Sequence, residues 1–388
     1  MKRIATIMAL CLVAVSCVYP YEPDFTGTSG GLVIDGDMLI GAESTFSLHF
    51  AKGIDEGYLE EEYPVGHLWI ESATGEIYEA SYTGRGVYVL DSRSADPAGS
   101  YRLHYDEALV SVESTRYRKC VSDWQTSPGK CVLDSLSYRI DPDGEYIRFL
   151  MSFHSDDGCK WFRYQTREDW EYTAPRLTHY KYIAPDNENP YGQIVNFEDD
   201  ENTYYCWNKD TSLGLNMIST ADLSGDRYVD YPLVSMDKSS QKISYLYRLD
   251  VTLYSISEDS FKYYSHIRDN SGNGGDLFAP IPSELRGNIR NLNDESELVL
   301  GYFGISSVVT GRIYEQESEV NFHRMKNELF EEQAFDQFDW AHMYIRRFRP
   351  SRYDYTGENY LWVEQRCVDC TSWGGNKNKP ADWPTPEK

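Results

Sequence analysis

Basic residues are scarce in this chain: 37 lysines and arginines stand against 62 aspartates and glutamates over 388 residues, a formal charge of -25 at pH 7. Such a balance makes nucleic acid and anionic lipid surfaces poor partners. The motifs of common catalytic machinery are also missing. The sequence holds no HExxH, no Walker loop and no dinucleotide fingerprint, so the usual signatures of zinc proteases, nucleotidases and nicotinamide enzymes are absent. Nor is there an internal repeat or a low-complexity tract. No catalytic residue, metal ligand or cofactor is assigned. Acidic clusters such as Glu60-Glu61-Glu62 and Glu198-Asp199-Asp200-Glu201 are short and read as solvated loops rather than cation sites. Glu168 and Glu171 flank Trp170, but on a strand they point to opposite faces, which argues against a catalytic pair. Asp141-Pro-Asp143-Gly144 begins like a calcium loop, yet position 152 is Ser where a bidentate Glu would stand, so a plain turn is expected.

The apolar run from Ile4 to Val15 is too short to span a membrane. With Lys2 and Arg3 before it and Ala14-Val15-Ser16 after it, it reads as an export signal ending at Cys17. This ending resembles the lipobox of bacterial lipoproteins, with Ala14 where Leu is usual. The resemblance implies lipidation of Cys17, by acyl chains such as palmitate, as the first residue of the mature protein. An ordinary signal peptide with an incidental Cys17 thiol is the alternative. Residues 1–16 are therefore expected as a signal peptide, and residues 17–30, with Pro20 and Pro23, as a tether.

Of eight cysteines, setting aside Cys11 in the signal and Cys17 leaves Cys120, Cys131, Cys159, Cys206, Cys367 and Cys370. In an oxidising envelope these are candidates for disulfides, with about fifteen possible pairings for six thiols. Cys120 and Cys131 flank the Ser127-Pro128-Gly129 turn and suit a local staple. Cys367 and Cys370 suit a tight loop, or either reaches Cys159 or Cys206. Redox or zinc chemistry at the CxxC would need a βαβ setting or two more ligands, and neither is visible.

From Gly31 onward, apolar residues alternate with polar ones. Leu32 and Ile34, Phe46 to Phe50, Leu68 and Ile70, and Tyr101 to Tyr105 predict short strands of an antiparallel sandwich. His49, His67 and His104 fall on the opposite faces and read as solvent-facing rather than as a metal site. Further strands are predicted at Tyr146 to Phe153, Trp161 to Tyr172, Tyr204 to Trp207, Ile243 to Leu253, Val308 to Tyr314 and Met343 to Phe348. The six alternating apolar positions from Ile243 to Leu253 mark a central strand. Ser257, followed by Glu258 and Asp259, predicts a capped helix presenting Phe261, Tyr264 and Ile267 on one face. Residues 321–340 suggest a second helix, and the tail from Gly374 reads as loop. The expected fold is mainly β: an immunoglobulin-like or transthyretin-like sandwich over 31–115, then a larger β-rich domain over 116–388 with one or two helices. With 32 Tyr, 15 Phe and 9 Trp, aromatics are the candidate recognition groups. Trp161, Trp170 and Tyr172, with Tyr164, Tyr180 and Tyr182, are taken as the candidate ligand surface.

Motifs run in order along the chain: Cys17 with Tyr19-Pro-Tyr-Glu-Pro23, Leu32-Val-Ile-Asp-Gly36, Glu168-Asp-Trp170-Glu-Tyr172 and Cys206-Trp207. The Tyr247 to Tyr254 strand running into Ser257-Glu-Asp-Ser-Phe261 follows, then Gly275-Asp-Leu-Phe278, Pro282 to Asn288, Leu300-Gly-Tyr-Phe303, Cys367-Val-Asp-Cys370, Gly374-Gly375 and Trp383. As a series they resemble the lipoproteins of domain-of-unknown-function family 4249, except that Thr371 stands where an arginine is usual. The resemblance implies a Gram-negative outer-membrane lipoprotein, lipid-anchored, whose partner is a TonB-dependent outer-membrane transporter. The expected role is accessory or ligand-capturing and non-catalytic, with an oligosaccharide or peptide as possible ligand. A surface hydrolase of glycan or peptide, and an adhesin or structural envelope protein, are the alternatives.

Overall fold

Alternation in the sequence becomes alternation in burial from the first strand onward. In the computed structural model, residues 31–51, 62–110, 115–198, 201–212, 214–272, 287–316 and 331–384 are described. The expected signal and tether, Cys17 included, lie outside these residues, as do Gly275 to Phe278 and most of the expected second helix. Strands β1 (Leu32–Ile40), β2 (Glu43–Phe50), β3 (His67–Ser72), β4 (Ile77–Gly84), β5 (Val87–Asp91), β6 (Ser100–Val110), β7 (Thr115–Ser122) and β8 (Gln125–Thr126) come first. Their inward residues, among them Leu32, Ile34, Phe46, Leu48, Leu68, Ile70, Leu103 and Tyr105, form one core. The order β1-β2-β5-β4-β3-β6-β7 folds this sheet over on itself as a β-sandwich. The expected boundary at 115/116 falls inside β7, which runs against β6 from Val110↔Thr115 to His104↔Val121. The first sandwich therefore continues past the polar residues that read as a domain edge.

The second sandwich is formed by β9 (Cys131–Ile140), β10 (Tyr146–Ser155), β11 (Trp161–Thr173), β14 (Tyr205–Thr211), β15 (Asn216–Ser219), β16 (Tyr228–Asp237), β17 (Leu246–Ser255) and β19 (Phe303–Gln316). Between them lie the small hairpin β12 (Tyr180–Ile183) with β13 (Gln193–Asn196), helix α1 (Glu258–Gly272) and β18 (Ile289–Asn291). The layer β16-β10-β9 packs on β14-β11-β17-β19 through Phe149 against Tyr247, ring centroids 4.8 Å apart, and Phe153 against Phe162 at 5.0 Å. β17 is central, as its pattern predicts, with β11 on one side and β19 on the other. Ser257 caps α1 by accepting from the Ser260 N–H at 3.1 Å.

One strand ties the two sandwiches together. β19 pairs parallel with β1 over Phe303 to Ser307, then antiparallel with β17 from Ser307 to Gln316. β1 makes the complementary exchange: Leu32 to Asp35 pair with β2, and from Gly36 onward with β19. Gly36 has φ +148°, and a Cβ there would stand 2.7 Å from the Phe46 ring. Only glycine fits where the strand changes partners.

The chain ends in a small lobe of β20 (Gln333–Ala334), α2 (Trp340–Ile345), β21 (Phe348–Tyr353), β22 (Tyr360–Glu364) and α3 (Gln365–Val368), followed by a 3-10 turn at Cys370–Trp373. Met343, expected on a strand, lies in α2, and the strand begins only at Phe348. A short apolar run does not distinguish strand from helix by its period. Cys206 and Cys370 form a disulfide across 164 residues. The expected local staple is not made: Cys120 belongs to the first core and Cys131 to the second, and both, with Cys159 and Cys367, are buried free thiols.

Candidate functional site

The aromatic surface expected from the sequence is divided among interior positions. Trp170 and Tyr172 lie on the inward face of β11 in the second core, with the Tyr172 hydroxyl donating to the Cys370 carbonyl at 3.0 Å. Tyr164 shares that face and meets Tyr231 edge-on at 5.7 Å. Trp161 points the other way, under α1 against Phe261 at 4.8 Å. Trp161, Trp170 and Tyr172 thus do not form a joint ligand surface, because strand parity separates the first from the others and the core takes the rest. Glu168 and Glu171 part as expected. Glu168 accepts from the Tyr247 hydroxyl at 2.8 Å and Lys242 Nζ at 2.9 Å, while Glu171, facing the other side, accepts from Trp383 Nε1 at 2.7 Å.

Burial raises the Glu171 carboxyl above its ordinary range, against the opposing pull of the Trp383 hydrogen bond and the charge of Lys379. The folded chain consequently holds this proton more tightly than the unfolded chain. The stability linked to it is complete at acid pH and is lost as pH rises through the folded value. Glu171→Gln keeps an acceptor for Trp383 and removes the charge. The variant should melt above the wild type at neutral pH, with the gap closing towards acid, as followed by thermal melts across a pH series.

The three strand histidines are not brought together as ligands. His104 pairs with Glu71 at 2.8 Å, His67 with Glu79 at 2.5 Å, and Trp69 stacks between the two imidazoles at 4.6 and 4.9 Å. His49 is exposed on β2. Among the described residues no group of three or more His, Cys, Asp or Glu is placed to hold a metal ion.

Tyr180 and Tyr182 pack instead against the terminal lobe, Tyr182 buried beneath a surface site that this lobe builds. The helix α2 reads Trp-Ala-His-Met-Tyr-Ile and buries none of its residues. Ile345 is 78% exposed, Phe338 65% and Tyr355 98%, with Tyr191, Tyr344 and Tyr353 also open to solvent. Beneath them the fully buried Trp362 supports Tyr182 at 5.8 Å, which in turn meets Tyr344 at 5.2 Å, and Tyr191 packs on Phe338 at 4.7 Å. Tyr344 and Phe338 are therefore braced by neighbouring rings rather than loose.

Arginines surround this apolar face. Residues 340–353 contain Arg346, Arg347, Arg349 and Arg352 and no carboxylate, in a chain whose formal charge is -25. The Arg349 guanidinium lies 4.0 Å over the Tyr344 ring and donates to Gln365 at 2.8 Å. Arg352 is held by Glu332 at 3.0 Å. Arg346 and Arg347 are exposed, and among the described residues no ion pair engages them. Arg347 has φ +65°, a left-handed turn fixed by the Gln365 N–H donating to its carbonyl at 2.6 Å. Aromatic, Met and Arg side chains around an exposed apolar centre are the composition of a protein interface. Its sequence signal was four arginines interleaved with aromatics within an acidic chain.

A family model described as "Domain of unknown function (DUF4249)" matches residues 18–312, most of the chain but not the terminal lobe. No match is found among curated proteins. Among solved structures, a DUF4785 family protein from Legionella pneumophila is 9% identical, covering 57% of this chain and 51% of that one, at a TM-score of 0.21. The FN1-FN3 domains of chicken CNTN1 are 14% identical over 58% of this chain and 60% of that one, at 0.23. Salmonella alpha-2-macroglobulin is 12% identical over 86% of this chain and 16% of that one, at 0.15. Likenesses this distant carry no argument about function.

Proposed function

Because the chain belongs to the DUF4249 family, we propose that it is an outer-membrane lipoprotein that docks, without catalysis of its own, on a TonB-dependent transporter. The observation that carries this reading is the apolar face around α2 with Arg346 and Arg347 exposed at its rim, engaged by no ion pair among the described residues. An apolar centre supplies affinity, and rim cations steer an approach to carboxylates on a partner. Support for the anchor comes from Lys2 and Arg3, the apolar run and Ala14-Val15-Ser16 ahead of Cys17. Several acyl chains at about 0.8 kcal/mol per buried methylene hold durably where one chain is marginal.

Two experiments test the two halves of this reading. Cys17→Ala should move the protein from the membrane pellet to the released envelope fraction on cell fractionation, and a variant that still sediments like the wild type would sink the lipid anchor. A photoreactive residue at position 345 should cross-link in intact cells to an outer-membrane barrel. The same probe at the exposed Val229, on β16, should not. Equal cross-linking from both positions would sink the docking surface.

A further inference from the structure

The outer face of the large sheet, away from the second core, carries side chains in ordered rows across β11, β17 and β19. Gln165 lies opposite Thr252, and Thr252 opposite Thr310. In the next row Arg167 lies opposite Asp250, and Asp250 opposite Arg312. Beyond these rows the face is closed at both ends. On the α1 side, Arg163 is tied to Asp37 at 3.1 Å and lies 4.7 Å from the Tyr254 ring and 5.2 Å from that of Tyr264. On the other, the fully buried Arg248 pairs with Asp382 at 2.8 Å under the Trp383 ring of the terminal tail. Between helix and tail an open groove of about 600 Å³ remains.

The charges in this groove cancel locally. Arg312 holds Asp250 through two hydrogen bonds, at 2.5 and 2.9 Å. Arg167 holds Asp169 at 3.0 Å. An anion finds no unpaired guanidinium here, and a cation no unpaired carboxylate. What remains is hydrogen-bonding capacity: the remaining N–H groups of two planar forks, carboxylate lone pairs, two threonine hydroxyls and the Gln165 amide. Rigid, paired donors and acceptors of this kind match the adjacent hydroxyls of a sugar ring. An extended peptide is a poorer occupant, because it docks on a free strand edge or in alternating apolar pockets. The groove lies over the face of the sheet, where β11 and β17 are hydrogen-bonded on both sides, rather than along the β19 edge, which has no strand partner past Ser307 among the described residues, and the lining is polar.

We infer that this groove, floored by Thr252 and Thr310 and walled by the Arg167 and Arg312 ion pairs, binds a short neutral oligosaccharide. The site is separate from the docking face on α2, so each stands or falls alone. The test is calorimetric titration of the mature chain with maltotriose, cellotriose, mannotriose and chitotriose, with trigalacturonate and a polar tripeptide as contrasts. At least one neutral sugar should bind, ahead of the uronate and the peptide. Thr310→Trp, at an exposed position, fills the groove and should weaken that sugar about tenfold or more. Gln165→Ala, which removes one donor–acceptor pair without adding bulk, should weaken it by a smaller factor, and melting curves establish that both variants fold. No binding by any neutral sugar at millimolar concentration would overturn the inference. Preference for the uronate or the peptide, or wild-type affinity in a folded Thr310→Trp, would overturn it too.

Discussion

Replacing Cys206 and Cys370 together by serine should lower the unfolding free energy by about 3–5 kcal/mol, because the bridge closes a loop of 164 residues in the unfolded chain. The bridge also fixes the terminal tail against β14. Next to it, Gly375 approaches so closely that a Cβ would lie 2.7 Å from that of Cys206. Beyond that point the Asn376 N–H donates to the Trp207 carbonyl at 2.8 Å, and the Trp207 N–H to the Asn376 carbonyl. Denaturation of the wild type with and without reductant should reproduce the same loss, and the double variant should be indifferent to reductant. The remaining thiols of Cys120, Cys131, Cys159 and Cys367 are buried and unbridged, so Cys120→Ala should leave the reductant effect in place. A wild-type midpoint that does not move in reductant would contradict the pairing.

Arg248→Ala should cost a comparable amount, about 3–5 kcal/mol, which is the usual result of leaving a buried charge without its partner. Arg248 is fully buried, pairing with Asp169 at 2.8 Å and Asp382 at 2.8 Å beneath Trp383. Its loss strands Asp169, itself almost wholly buried, with only Arg167 beside it. It also frees the tail, so limited proteolysis near Asp382 should accelerate before the body unfolds. Joining Asp169→Leu to Arg248→Met should recover much of the loss, since an apolar pair of similar volume needs no desolvated charge. A stable, protease-resistant Arg248→Ala would show that the tail is held by other contacts.

The parts legible in the sequence were those set by short-range order. Six alternating apolar residues from Ile243 to Leu253 revealed the central strand, although Ile243 itself sits in the 3-10 turn ahead of it. Ser257 with its acidic followers revealed the helix start. What depended on distant partners was not legible. The period of β11 shows that Trp161 and Trp170 face opposite ways, but each is covered where it stands, Trp170 in the second core and Trp161 under α1. Parity therefore did not say which tryptophan was open. The edge of the first sandwich was missed because β7 is assigned by its pairing with β6, which composition does not reveal. Similarly, nothing local in Phe303 to Gln316 announces a strand shared by two sandwiches. The apolar residues of α2 would read as core in any sequence, and only the fold leaves Tyr344 and Ile345 exposed.

Docking through the α2 face is tested most directly by purifying the wild type and a Phe338→Asp, Ile345→Asp double variant in parallel from gently solubilised membranes. Both positions are exposed, so the variant should fold and melt as the wild type does. The wild type should bring down a TonB-dependent barrel in stoichiometric amount, and the variant should come out alone. A wild type that purifies without a barrel, or a variant that retains it in full, would contradict the docking role.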